Sequence, residues 1–156
     1  MTNLCSEVLR LLEGKSLVTA ESCTGGGIGA ALTAVSGSSE VFKGGIISYT
    51  NWVKENVLGV DPELFQTVGA VSAPVAESMA MGARQRLQAD VAVSVTGLAG
   101  PGGDEHGNPV GTVFIGYCDS KCCESRHFVF AGGREEVRTQ ATREALKLVL
   151  QKAVDF

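Results

Sequence analysis

At 156 residues, with 44% hydrophobic and 19% charged side chains, the chain has the balance of an ordinary globular protein of one domain. A chain of that length buries roughly two-thirds of its unfolded surface. A formal net charge of −4 with no basic block argues against nucleic acid as a partner, and neither a secretory leader nor a membrane-spanning apolar run is expected. The five cysteines, Cys5, Cys23, Cys118, Cys122 and Cys123, are odd in number and lack well-spaced histidines. They are expected as reduced apolar fillers of a cytoplasmic protein, with neither a disulfide framework nor a metal site.

In chain order, Leu4, Val8, Leu11 and Leu12 recur at helical spacing over Asn3 to Leu12, and Gly14 stops the helix. A short strand, Ser16 to Ala20, leads into the glycine-rich Gly25 to Val35, which reads as a helix. A turn at Ser36 to Ser39 precedes a strand over Val41 to Tyr49. Thr50 or Asn51 then caps a short helix to Leu58, and Asp61-Pro62 opens another that ends at Gly69. Ser72 is expected to cap the next helix, to about Leu87, with Glu77 near its favourable first turn. Ala89 to Thr96 reads as a central strand that runs into Gly97 to Asp104. Val110 to Cys118 and Glu124 to Phe130 follow as an antiparallel hairpin, and Glu135 to Ala153 as a final amphipathic helix. This order predicts an α/β fold, a three-layer α/β/α sandwich around a mixed, largely parallel sheet.

The stretch Thr19-Ala-Glu-Ser-Cys-Thr-Gly-Gly-Gly27 places Ser22 where a strand meets a helix start. Backbone N–H groups there lack partners and carry the positive end of the helix dipole, which suits an oxyanion or another anion. No lysine follows in Walker A spacing. Gly25, Gly27 and Ala30 satisfy a dinucleotide pattern, but the expected acidic residue would fall near Gly45 in a strand. The same glycines also serve simple helix–sheet packing. A serine nucleophile needs a base, and neither His106, in a polar loop, nor His127, on a strand, makes a convincing triad. If the first two strands are parallel neighbours, Tyr49 and Lys54 share the sheet edge with Ser22, and Ser–Lys pairs are an established nucleophilic device. A lysine of ordinary pKa costs roughly 4.6 kcal/mol to hold neutral at pH 7, so burial or a nearby cation must lower it. Cys23 is a rival nucleophile.

Thr19 to Gly26, Gly37-Ser-Ser39, Tyr49 through Lys54, Gly69-Ala-Val-Ser72, Thr96 to Gly103 and Pro109 to Val113 together resemble the CinA carboxy-terminal domain family of nicotinamide mononucleotide deamidases. The likeness runs through nearly the whole chain, 1–156, as one amidohydrolase domain. It implies hydrolysis of nicotinamide mononucleotide to nicotinic acid mononucleotide and ammonia in pyridine nucleotide salvage, without metal or cofactor. By that resemblance Ser22 is the nucleophile, Lys54 the general base and Tyr49 its support. Cys23, Thr24, Gly25 and Gly26 would surround the oxyanion, while Thr96, Gly97, Gly100, Gly102 and Gly103 meet the ribose phosphate through main-chain N–H groups. The resemblance also implies a homo-oligomer, a dimer or higher, with a small nucleotide and no membrane as partner. Similar sequences read Tyr-Ser-Asn-x-Ala-Lys, whereas Trp52 and Val53 stand before Lys54 here. Their bulk would either narrow the pocket or dry the lysine. A nucleotide-binding or competence- and damage-associated module with little turnover, and a purely structural interaction protein, are the competing readings.

Overall fold

The structure, a computed structural model, describes residues 1–156. The elements run α1 (Thr2–Leu11), β1 (Leu17–Glu21), α2 (Gly27–Thr33), a short 3₁₀ turn (Ser38–Glu40), β2 (Phe42–Ile47), α3 (Asn51–Asn56), α4 (Glu63–Thr67), α5 (Ala73–Arg86), β3 (Val91–Gly97), β4 (Thr112–Cys118), β5 (Cys123–Val129) and α6 (Arg134–Ala153). The sheet order is β2-β1-β3-β4-β5. It is mixed as expected: β1 pairs in parallel with β2 and β3, and β3-β4-β5 is antiparallel. β1 is buried along its length because helices cover both its faces, whereas β2 alternates half-buried and exposed residues as an edge strand does.

Successive strand residues point to opposite faces, and the core divides accordingly. Leu17, Val91, Val93, Val95, Val113 and Ile115 pack under α1, α2 and α6, against Val8, Leu12, Ile28, Leu32, Val137 and Leu146. Val18, Ala20 and Ala92 face the other way, toward Val75, Met79, Ala80 and Ala83 of α5 and toward Leu58 and Val60. α5 lies unusually near the sheet: a Cβ added at Gly116 would collide with the Ala76 carbonyl oxygen. Only glycine leaves that strand low enough for the helix backbone to reach it.

Three local expectations are corrected. The Ser72 hydroxyl does not cap α5; it donates to the Gly69 carbonyl (2.8 Å) and so closes the preceding turn. Glu77 lies past the first turn and accepts from Ser125 Oγ (2.6 Å), tying α5 to β5 in place of serving the dipole. Cys118 and Cys123 are opposed in the β4–β5 register and are joined by a disulfide, leaving Cys5, Cys23 and Cys122 as the free thiols. The pairing escaped the sequence reading because a tight hairpin, and no cysteine spacing rule, brings the two together.

Candidate active site

β1 and β3 are parallel neighbours, so the loops that follow them leave the same edge of the sheet. The chain returns from β1 to β2 on one side while β3 flanks the other, which makes this edge a topological switch point where open α/β sheets form crevices. Glu21 is in register with Ile47 and Val95 at the ends of these ladders. The Ser22 N–H donates to the Val95 carbonyl (3.0 Å), and the Ser48 N–H donates to the Glu21 carbonyl (2.8 Å).

Ser22 and Glu21 point opposite ways, and Glu21 settles what the helix start can do. Its carboxylate is buried. Oε1 accepts from Thr24 Oγ1 (2.7 Å) and the Ile28 N–H (2.8 Å), and Oε2 accepts from the Gly29 N–H (3.0 Å) and Thr19 Oγ1 (3.1 Å). A carboxylate at a helix N-terminus is stabilised by the dipole and satisfies orphan donors. The positive end of α2, expected to receive a substrate anion, is therefore already occupied by the protein's own charge. This also removes the pyrophosphate site that the dinucleotide pattern needs.

Within the loop, the Gly25 N–H donates to the Ser22 carbonyl (3.0 Å) and the Gly27 N–H to the Thr24 carbonyl (3.0 Å). The N–H groups of Cys23, Thr24 and Gly26 meet no acceptor within the protein, and of these three residues only Cys23 lines the cleft. The expected set of oxyanion donors thus contracts to the residue after Ser22. Burial pushes the Cys23 thiol up to about 11, which keeps it protonated at neutral pH and argues against it as the nucleophile.

Lys54 reaches Ser22 from the other side. Thr50 accepts the Val53 N–H (3.4 Å) as N-cap of α3, and one helical turn carries Lys54 back over the ends of β1 and β2. Its Nζ lies 2.9 Å from Ser22 Oγ, 2.8 Å from the Ser48 carbonyl and 3.2 Å from the Tyr49 carbonyl. Lys54 is only 2% exposed, no carboxylate meets its amine, and burial lowers its pKa to about 8. A neutral amine has two N–H bonds and one lone pair. With both N–H bonds given to the two carbonyls, the lone pair faces the Ser22 hydroxyl.

A cleft of about 310 Å³ opens over this pair. Of the residues expected from the sequence, Ser22, Cys23, Tyr49, Lys54, Thr96, Gly97, Gly100 and Gly102 line it. Thr24, Gly25, Gly26 and Gly103 do not: Thr24 is buried against Glu21, Gly25 lies beside Arg138, Gly26 backs onto Ile47 and Gly103 packs on the Asn108 carbonyl. Gly97 is required where it is, because a Cβ there would lie 2.7 Å from Val113 Cγ2 and 3.1 Å from Cys23 Sγ. The Thr96 hydroxyl donates to the Ala70 carbonyl (2.8 Å), so it braces the wall of the cleft. Tyr49 supports Lys54 through its main-chain carbonyl, while its phenol oxygen accepts from Arg134 Nη2 (3.2 Å) at the mouth. Trp52 is 68% exposed, and neither it nor Val53 lines the cleft, so their bulk does not narrow the pocket.

Sequence reasoning missed Arg134, Asn51, Ala70 and Val71 in the lining, and Glu21 and Arg138 behind it. Glu21 did leave a signal: a carboxylate ending an otherwise uncharged strand and facing a glycine-led helix. Arg134 and Arg138 left none, since nothing in the sequence states which loop the last helix meets.

Three comparisons bear on the family and the fold. The sequence profile of the CinA C-terminal domain matches residues 1–153. A CinA-like protein of Prochlorococcus marinus is 49% identical over 88% of the chain, and one of Mycobacterium avium is 45% identical over 95%. The chain spans only 33% and 35% of their lengths, so it corresponds to about a third of the curated relatives it matches. Among solved structures, a competence-damaged protein (CinA) superfamily protein from Klebsiella pneumoniae superposes with a TM-score of 0.95 at 34% identity, covering 99% of this chain and 98% of that one. A competence/damage-inducible protein from Agrobacterium tumefaciens gives 0.92 at 39% identity, over 96% and 93%.

Proposed function

The chain belongs to the CinA C-terminal domain family, and from that premise we propose that it is a cytoplasmic amidohydrolase, a single catalytic domain over residues 1–156 that deamidates nicotinamide mononucleotide with a Ser–Lys pair. The observation that carries this reading is the 2.9 Å approach of Lys54 Nζ to Ser22 Oγ, with the lysine pKa lowered to about 8. At pH 7 about a tenth of such a lysine is neutral, and the cost of holding it so falls to about 1.4 kcal/mol.

Ser22 Oγ attacks the carboxamide carbon as its proton passes to Lys54 Nζ. The carbonyl oxygen gains negative charge and takes the free Cys23 N–H. Lys54 then returns the proton to the departing nitrogen, the C–N bond breaks, and ammonia leaves an acyl-Ser22 ester. A water molecule attacks that ester, giving its proton to Lys54. Collapse returns that proton from Lys54 to Ser22 and releases the carboxylic acid, which gives up its own proton to solvent and leaves as the carboxylate. The phosphate end of the substrate fits Arg134 and the Gly97–Gly103 loop, where Arg134 is the cleft's second cation beside Lys54. No cofactor takes part in this scheme. A homo-oligomer is the assembly we favour on family grounds.

Ammonia release from nicotinamide mononucleotide by the purified protein is the test. Turnover should fall at least about a thousandfold in Ser22→Ala and in Lys54→Met, as for paired nucleophile and base elsewhere. Folded protein with no turnover between pH 7 and 9.5 would falsify the assignment. The alternative, a nucleotide-binding module tied to competence or damage, rests on the names of relatives. It is rejected if Ser22→Ala still binds the nucleotide while only the unaltered protein turns it over.

A further inference from the structure

Arg138 lies one helical turn beyond Arg134 on α6 and does not line the cleft, yet its guanidinium is committed to the Ser22 loop. Nε donates to the Cys23 carbonyl (3.0 Å) and Nη2 to the Thr24 carbonyl (3.3 Å). The peptide plane that holds the Thr24 carbonyl also holds the Gly25 N–H, because a peptide unit is rigid. That N–H donates to the Ser22 carbonyl, whose own peptide plane carries the Cys23 N–H. Three consecutive peptide units are therefore oriented from one side chain.

We propose that Arg138 is a positioning residue for the reaction: by gripping the Cys23 and Thr24 carbonyls it fixes the peptide between Ser22 and Cys23, so that an N–H faces the developing oxyanion. A flip of that peptide would present a carbonyl oxygen to the same place and turn attraction into repulsion. The two hydrogen bonds in series, from Arg138 Nη2 to the Thr24 carbonyl and from the Gly25 N–H to the Ser22 carbonyl, also polarise one another in the same sense, strengthening the Cys23 N–H as a donor. Arginine suits the task because its rigid fork spans two acceptors, whereas an ammonium is a point donor. The proposal rests on Ser22 being the nucleophile, although it does not depend on which amide is cleaved.

The test compares the unaltered protein with Arg138→Ala and Arg138→Lys in two assays. In deamidation of nicotinamide mononucleotide, Arg138→Ala should lose about 10- to 100-fold in kcat with KM changed less than about twofold, since the lost interaction matters only in the transition state. Arg138→Lys should recover part of the loss. The pH midpoint of kcat should stay where Lys54 sets it. Guanidinium ion at a low, non-denaturing concentration should restore activity to Arg138→Ala and not to Ser22→Ala, a response that a misfolded variant would not give. In the second assay, a fluorophosphonate probe labels Ser22 directly, and its rate should follow the same order among the variants.

An unaltered protein that labels at Ser22 but leaves the mononucleotide intact would overturn the substrate assignment, and slower labelling of Arg138→Ala would still support the positioning role. Equal labelling rates, a loss confined to KM, or a kcat that falls without any rescue by guanidinium or lysine would overturn it.

Discussion

Lys54 shows how a single amine can be made basic enough and still empty of its proton. Its pKa falls because burial disfavours the ammonium, and the Ser48 and Tyr49 carbonyls fix its orientation. Activity should therefore rise about tenfold per pH unit below about 8 and level off above it, read as kcat/KM across pH 6 to 10. The same shift has a thermodynamic signature. Between pH 8 and 10.5 the unfolded chain holds a proton that the folded protein has released, so this group makes stability rise with pH through that window. Lys54→Met lacks the effect. The difference in melting temperature, variant minus unaltered protein, should decline as pH rises from 8 to 10.5, following a free energy on the order of 3 kcal/mol; a difference flat with pH would refute the lowered pKa. Glu21 is the complementary case, a buried anion held by four donors with no cation beside it. Glu21→Ala should cost about 2 to 4 kcal/mol in urea unfolding, because four buried donors lose their acceptor at once.

At the scale of elements, the site is made from the ends of β1, β2 and β3, from α3, which carries Lys54, and from the start of α6, which carries Arg134. Most of this was legible in the sequence. Strand-then-glycine patterns marked Ser22 and Gly97, and the capping residue Thr50 marked the start of α3, because these signals are local and report backbone conformation. Proximity of Lys54 to Ser22 followed only on the assumption that β1 and β2 run parallel, which the sheet bears out. What stayed hidden was side-chain pairing: Glu21 with the first N–H groups of α2, Arg134 with Gly100 and with Tyr49, and Arg138 with the Ser22 loop 115 residues away in sequence. Both readings of the glycines, ligand approach and close packing, have their examples: Gly97, Gly100 and Gly102 line the cleft, while Gly26 backs onto Ile47. Gly116 is such a site outside the cleft, where α5 lies on the sheet. Gly116→Val should destabilise by at least about 2 kcal/mol, as overpacking against backbone cannot be relieved by a rotamer change, and thermal melts measure it.

The whole molecule carries a net charge of −4, which by itself repels an anionic nucleotide. On the proposed reading, attraction comes from the local field of Arg134 in the cleft, because the working form of Lys54 is neutral. Arg134→Gln should raise KM for nicotinamide mononucleotide about tenfold or more and leave the unphosphorylated riboside almost unaffected, so the ratio of the two KM values isolates the phosphate contact. Equal changes for both substrates would place Arg134 elsewhere in the reaction. The position of α6 in the chain has a consequence in time. Domains assemble as the chain emerges from synthesis, amino-terminal parts first. Ser22, Lys54 and both glycine loops are all made before the two arginines that bind those loops. A nascent chain halted before residue 134 would carry Ser22 and Lys54 but no brace for either loop, so chemical competence would arrive with the last helix as it docks.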